Sequence, residues 1–372
     1  MPAIQLESRA DLFKKSLNLA TMSHMSDLVL YRKYRPKNFK EVIGQEHITK
    51  TLEGEIKQDN ISHAYLFSGT RGTGKTSVAR IFAKEIKTST NDIYEIDGAS
   101  NRKIDDVREL REGVNVLPFE SRYKVYIIDE VHMLTNEAFN ALLKTLEEPP
   151  KHVVFILATT EFDKLPETIV SRCQSFVFKK PSRAVLKDMV SNVAKKEGYS
   201  IDSPSADLIA LLAEGSFRDA LGTLQKILAT SKDKKVSIDE VEIVTGAPKG
   251  ETVNKIIDSI AKKDVELGIE AVKTAVQNGV DMKVFLKMIL QKLRLTLLLK
   301  FAPAGEKNIK EELTTEDFEF LKKIASEKGS QISSATLLEF INAELLAGSS
   351  SIPELPIELA IMKCADNIQN QK

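Results

Sequence analysis

The 372-residue chain carries 53 Lys+Arg against 53 Asp+Glu, a formal net charge of zero, with 42% hydrophobic and 28% charged residues. That balance describes a soluble globular protein of two or three domains and excludes a globally basic nucleic-acid binder, leaving room only for a local basic patch. Its two cysteines, Cys173 and Cys364, exclude a disulfide framework and a four-cysteine zinc site and suit a reducing cytoplasm, and no apolar run approaches the roughly 20 residues that span a membrane.

Met1 to Leu19 has some amphipathic character with Lys14 and Lys15 but no secretory core, and Ser23-His24-Met25 looks like a cloning scar with Met25 as a natural start. Residues 1–27 are therefore expected to be a leader outside the fold. From Leu28 to about Pro181, short apolar runs alternate with helical patterns. Ala64–Phe67, Ile93–Ile96, Lys124–Ile128 and Val153–Ala158 read as buried strands, with Phe176–Phe178 as a further one. Between them Ser77–Ile86, Ile104–Asn115, Asn136–Glu148 and Pro166–Val170 read as helices, Asn136 being the expected N-cap and Pro149-Pro150 the stop. Alternation of this kind predicts a parallel sheet with helices on both faces.

Between the first strand and its helix lies Gly69-Thr70-Arg71-Gly72-Thr73-Gly74-Lys75-Thr76-Ser77, which fits G-x-x-x-x-G-K-[ST] in its required strand–loop–helix context. Glycines let successive N–H groups point into one concavity, and the helix N-terminus adds partial positive charge, so the stretch suits phosphate. Lys75 is placed to neutralise the β- and γ-phosphates of a nucleoside triphosphate, and the Thr76 hydroxyl to ligate Mg²⁺. About fifty residues on, Val125–Ile128 ends in Asp129-Glu130. A carboxylate at that strand tip faces the loop, because ligands bind beyond the carboxyl ends of parallel strands. Asp129 is the candidate Mg²⁺ ligand through its water shell, and Glu130 the candidate to polarise an attacking water. The next strand closes in Ala158-Thr159-Thr160, where the Thr160 hydroxyl can lie between loop and acid; two β-branched residues ending a strand explain it equally well.

After Pro181 strand signals largely vanish. Ala184–Gly198, Ser205–Glu214 and Arg218–Ser231 read as a small all-α unit, and Val253–Lys263, Val265–Asn278, Met282–Phe301, Glu316–Ser326 and Ser334–Leu346 as a second helical region. Gly215-Ser216-Phe217-Arg218-Asp219 reads as a helix start with Ser216 as N-cap. Arg218 in that first turn opposes the helix dipole and calls for an anionic partner, either a nucleotide phosphate or a surface carboxylate. Met282–Phe301, with Leu286, Ile289, Leu290, Leu293, Leu297 and Leu298, is either a central core helix or a subunit interface.

Taken together, Tyr31–Pro36, Val42–Gln45, the phosphate loop, Asp129-Glu130-Val131-His132-Met133-Leu134, Asn140–Pro150, Ser171-Arg172-Cys173 and Gly215–Leu221 resemble the gamma/tau ATPase subunits of the bacterial DNA polymerase III clamp loader, members of the AAA+ family. The motifs cover about Leu28 to Gly246; beyond that the resemblance rests on helical content, position and Leu355–Leu359. It implies an α/β P-loop AAA+ core over 28–182, a three-helix lid over 183–247 and an all-α collar over 248–372. It implies an ATPase within the polymerase holoenzyme that opens the beta sliding clamp and places it on primed DNA, with ATP and Mg²⁺ as cofactors. Thr160 takes the sensor 1 position and Arg218 sensor 2. Arg172 becomes a finger reaching a neighbour's ATP, which stabilises transition-state charge only once subunits assemble. Arg35, Pro36, Val42 and Ile43 fall where the family holds adenine and ribose. The implied partners are delta, delta-prime, further gamma/tau copies, the beta clamp and the backbone of primer-template DNA, with no membrane; Arg102 and Lys103 are the DNA-contact candidates, though a solvated helix entrance accounts for them as well.

One departure is visible. The family commonly carries a four-cysteine zinc module before the second strand, whereas here Glu85–Asp92 makes the connection directly, so no zinc is expected. The chain also stops after the collar-like region, without the extensions by which the longer family form binds helicase and polymerase. Two alternatives stand beside the motor subunit. A non-hydrolysing delta-prime-like stator is disfavoured by intact Lys75, Thr76, Asp129 and Glu130. A replication factor C small subunit or a Holliday-junction branch-migration motor is disfavoured by the Asn140–Pro150 stretch.

Overall fold

The β-branched runs form one parallel sheet in the computed structural model, which describes residues 29–100, 110, 112–231, 233–327 and 329–366. Its strands are β1 (Ala64–Ser68), β2 (Ile93–Asp97), β3 (Lys124–Asp129), β4 (Val153–Thr159) and β5 (Gln174–Val177), in the order β2-β3-β4-β1-β5. Every neighbouring pair is parallel. Strands β1 and β4 are buried along their whole length, which is why they read as continuous apolar runs rather than alternating ones. Successive side chains go to opposite faces. Tyr65, Phe67, Ile127 and Ile156 pack with Val78 and Phe82 on one side. Leu66, Tyr126, Ile128 and Phe155 pack with Phe139 and Leu142 on the other. Read from sequence, the fifth strand falls two residues late, because its edge position exposes alternate side chains and weakens the apolar signal.

The helices of this region are α1 (Leu30–Lys33), α2 (Glu46–Lys57), α3 (Lys75–Glu85), α4 (Asn136–Glu147) and α5 (Glu167–Val170). Thr135, not Asn136, caps α4: its backbone is extended and its hydroxyl accepts the Ala138 N–H at 3.3 Å, while Asn136 is already helical. The short connector before β2 is fastened by Asp92, which is wholly buried and accepts the N–H groups of Phe119 (2.5 Å), Glu120 (3.1 Å) and Ser121 (2.9 Å). Burial pushes that carboxyl up, but the backbone donors outweigh it and hold it below its usual range. The leader, and most of the first half of the Ile104–Asn115 helix with Arg102 and Lys103, lie outside the described residues.

The chain divides into two compact units. One runs to Leu186 and includes Ala213–Gln225; the other comprises Lys187–Leu212 and the chain from Lys226 onward. The remaining helices are α6 (Arg183–Lys196), α7 (Ser203–Leu212), α8 (Phe217–Thr230), α9 (Ile238–Thr245), α10 (Gly250–Lys262), α11 (Val265–Gln277), α12 (Met282–Phe301), α13 (Glu306–Glu312), α14 (Thr315–Ser326), α15 (Ser334–Ala347) and α16 (Leu355–Asp366). A two-residue parallel pair, β6 (Ser200–Ile201) with β7 (Lys235–Val236), interrupts what reads as all-α sequence; strands this short leave no periodicity to detect. In the second unit α12 is the central core helix, packed against α10, α14 and α15 with Phe285, Leu286, Ile289 and Leu293 fully buried. Its Lys292 is buried too, and donates to Asn254 Oδ1 (2.7 Å) and Asp317 Oδ1 (2.6 Å). Among the described residues no helix is long and apolar enough to cross a membrane.

Glu242 on α9 is nearly buried, and burial, with the charge of Asp239, pushes its carboxyl from 4.5 up to about 7 against the pull of the Gly250 N–H. A raised folded-state value means the native protein holds a proton between pH 4.5 and about 7 that the unfolded chain has released. Glu242 therefore favours the fold below that window, and the contribution is lost as pH rises through about 7. Thermal melts across the window should fall with pH in the wild type, and Glu242→Gln should flatten the slope. Parallel slopes for the two proteins would refute the assignment.

Candidate nucleotide-binding site

Strand β1 ends at Ser68 and α3 begins at Lys75, so the glycine loop spans the gap between a buried strand and a helix N-terminus. Gly74 caps α3 in a left-handed conformation with no side-chain acceptor, leaving the first-turn N–H groups available to an anion. Gly69 has φ 141°, and a Cβ there would press on the Phe178 carbonyl. Lys75 is 5% exposed and curls back over its own loop, donating to Gly69 O (2.7 Å) and Thr70 O (2.9 Å). Thr73 Oγ1 donates to the same Thr70 carbonyl at 2.9 Å. Burial holds the Lys75 ammonium below its usual value, against the attraction of Glu130 and Asp129, and the like charge of Arg218 adds to the lowering. Thr70 and Arg71 are exposed at the loop crest, while Thr76 and Ser77 are half-buried in the first turn of α3.

Because all five strands are parallel, their carboxyl ends share one edge. Ser68 stands in register with Thr159, and Asp97 with Asp129. Thr76 Oγ1 donates to Asp129 Oδ2 at 2.7 Å, joining α3 to the tip of β3. Glu130 follows at φ 49°, a left-handed position that a non-glycine residue occupies at some cost and that is concentrated at functional sites. Strand β4 does lie between β1 and β3, and from its end Thr160 donates to Glu130 Oε2 through both Oγ1 (2.8 Å) and N–H (3.3 Å).

The start of α8 belongs to the same unit as this loop. Ser216 is its N-cap as expected, accepting the Asp219 N–H at 3.1 Å. The Phe217 N–H donates to Gly72 O at 3.0 Å, and Gly72, at φ 74°, leaves no room for a Cβ against the Ser216 hydroxyl. The phosphate loop is thus docked on the helix that carries Arg218. The Arg218 guanidinium lies 5.9 Å from the centre of the Tyr31 ring, and the α1 segment is tied to α8 by Leu30 N–H donating to Gln225 Oε1 at 2.8 Å.

Arg35 and Pro36 follow α1 half-buried, Val42 packs on the core, and Ile43 is 46% exposed. Their segment is pinned by Gln45, whose side-chain amide pairs with the Lys179 backbone at 2.7 and 3.0 Å. Arg172 is placed differently. It sits after α5 and pairs with Glu147 at the end of α4 (2.7 Å) and with Thr168 O (2.8 Å), one-third exposed. The Gly72–Phe217 bond leaves no signal in the local sequence, since it joins residues far apart along the chain.

The family model for the delta subunit of DNA polymerase III matches residues 44–99 and 87–182. DNA polymerase III subunit tau of Bacillus subtilis (strain 168) is 40% identical over 339 residues, which cover 86% of this chain and 59% of that protein. The Escherichia coli (strain K12) subunit tau is 37% identical over 302 residues, covering 76% and 47%. This chain therefore spans about half to three-fifths of the length of these relatives. Among solved structures, a single-residue variant of Thermotoga maritima RuvB is 25% identical with a TM-score of 0.50, covering 62% of this chain and 80% of that one. The fold is thus the α/β P-loop AAA+ core, followed by a largely helical region.

Docking of the loop on α8 makes Gly72 the sensitive position. Gly72→Ala adds both an overlap with Ser216 and a strained left-handed alanine, and should destabilise the first unit by about 1–3 kcal/mol in denaturant melts. Adding Ser216→Gly should restore part of that loss by removing the overlap. A neutral single variant would contradict the docking.

Proposed function

The chain belongs to the DNA polymerase III gamma/tau family, and from that premise we propose that it binds and hydrolyses ATP as the motor subunit of a sliding-clamp loader, opening the beta clamp and placing it on primed DNA. The observation that carries this reading is the convergence of Lys75, the Thr76–Asp129 pair and the Thr160–Glu130 pair at one edge of the sheet. In this reading the loop N–H groups and Lys75 hold the triphosphate, and the ammonium, disfavoured by burial and by Arg218, gains counter-charge beyond that of Glu130 and Asp129. Arg35, Pro36, Val42 and Ile43 hold the adenosine. Thr76 and Asp129 present hard oxygen donors side by side, the donor type Mg²⁺ takes, and Mg²⁺ bound there supplies charge neutralisation at the phosphates. The polar contacts of the Glu130 carboxylate among the described residues fall on Oε2, so Oε1 is the oxygen assigned to polarise water. Thr160 fixes that carboxylate and stands ready at the γ-phosphate.

Arg172 acts in trans. Its partner Glu147 is half exposed, and exposed ion pairs are held by about 1 kcal/mol or less, so a neighbour's triphosphate can take the guanidinium from it. The core over 28–182 and the lid over 183–247 would form each ATP site. The collar over 248–372 would join the subunit to delta, delta-prime and further gamma/tau copies through apolar side chains left exposed on α15 and α16, among them Leu338, Leu345 and Leu359. Arg102 and Lys103 are assigned to the DNA backbone, and the cytoplasmic replisome is the site of action. The delta-subunit family match favours a stator as the second reading; a complete set of Lys75, Thr76, Asp129 and Glu130 counts against it.

In the complex reconstituted with delta, delta-prime, clamp and primed DNA, Lys75→Ala should abolish binding of a fluorescent ATP analogue. Arg172→Ala should leave binding intact and lower ATP turnover by about 10³-fold, the usual contribution of an arginine finger. Turnover in the wild type no higher than in Lys75→Ala would overturn the motor reading.

A further inference from the structure

His132 lies two residues beyond Glu130, in a short 3-10 turn, with its side chain only 4% exposed. A buried imidazole has to place both nitrogens, and here both go to groups at the candidate site. Nε2 is 3.2 Å from Glu161 Oε1, and a carboxylate can only accept, so Nε2 carries a proton. With the proton on Nε2, Nδ1 accepts the Thr159 hydroxyl at 3.0 Å, and the same Oγ1 accepts the Glu161 N–H at 3.0 Å. Glu161 in turn pairs with Lys164 at 2.7 Å. The ring is therefore fixed from the end of β4, and that brings Nδ1 to 3.5 Å from Glu130 Oε2. Thr160 donates to the same oxygen.

The geometry points to His132 as a positioning residue for Glu130, an inference that rests on the hydrolysis reading above. Glu130 is at a left-handed backbone position, on a turn that leaves its carboxylate free to rotate unless the side chain is held. Thr160 grips Oε2 from one strand end, and His132, braced by Thr159 and Glu161, walls the same oxygen. Together they would aim Oε1 at water. His132 touches neither nucleotide nor reacting atoms in this scheme; it acts through Glu130.

The two nitrogens separate a positioning role from a packing one. Asn carries its amide where the imidazole Nδ1 lies, and Gln reaches instead toward the Nε2 position. With the full chain assembled with delta, delta-prime, clamp and primed DNA, His132→Ala and His132→Gln should lower kcat by about 10- to 100-fold, the scale of a misplaced catalytic group. Binding of a fluorescent ATP analogue should change by less than about twofold, and His132→Asn should recover most of the lost rate. Three results would each overturn the role: kcat of His132→Ala close to wild type, equal losses in the Ala and Asn variants, or a loss confined to nucleotide affinity. A wild-type rate indistinguishable from Lys75→Ala would remove the hydrolysis reading and this role with it, whereas normal wild-type turnover with an unaffected His132→Ala removes the role alone.

Discussion

The hydrogen bond from Thr76 Oγ1 to Asp129 Oδ2, 2.7 Å long, joins the first turn of α3 to the tip of β3, and most of the candidate site depends on the geometry that permits it. It requires β1 and β3 to run parallel with β4 between them, so that the loop after β1 and the acids after β3 open on the same edge. That order is imposed by burial. Strands β1, β3 and β4 are apolar on both faces, so each needs a strand on either side and helices above and below. The polar residues at their ends are what remains once the apolar lengths are aligned.

A second join makes the site respond to more than one element. The phosphate loop does not float at the sheet edge; its Gly72 carbonyl takes the Phe217 N–H, and its missing side chain is filled by Ser216. Any displacement of the start of α8 must therefore move the loop, and with it the charge of Arg218 near Lys75. Lys75 is a buried cation held below its usual proton affinity, bonded to carbonyls of its own loop. An anion seated in the loop would relieve that state. The arrangement would link occupation of the loop to the position of the start of α8.

Much of this is legible from residues alone. The glycine loop declares itself by spacing, and the central strands by unbroken β-branched runs, because both are local in sequence. The parallel rule puts the acids at the end of β3 on the loop's edge, where the structure has them. Thr160, which two β-branched residues ending a strand explain equally well from sequence, bonds Glu130 from the end of β4. What escapes is non-local or short. Thr135 displaces Asn136 as the cap of α4 because either residue type serves, and only backbone geometry decides. Strands β6 and β7 are two residues each. His132 falls within a family-like stretch but is given no role by sequence; the fold brings Thr159 and Glu161 to its two nitrogens. Arg172 is marked by family pattern alone, and the structure pairs it with Glu147 at the end of α4.

In this reading the site is divided between subunits: phosphate loop, Mg²⁺ ligands and Glu130 from one chain, Arg172 from the next. The most direct measurement mixes Lys75→Ala chains with Arg172→Ala chains during assembly with delta, delta-prime, clamp and primed DNA, and follows ATP turnover. A divided site predicts that the mixture hydrolyses ATP while neither variant does alone, because an Arg172→Ala chain keeps an intact loop and a Lys75→Ala neighbour supplies the arginine. A mixture as inactive as its components, or an Arg172→Ala assembly with wild-type turnover, would contradict it.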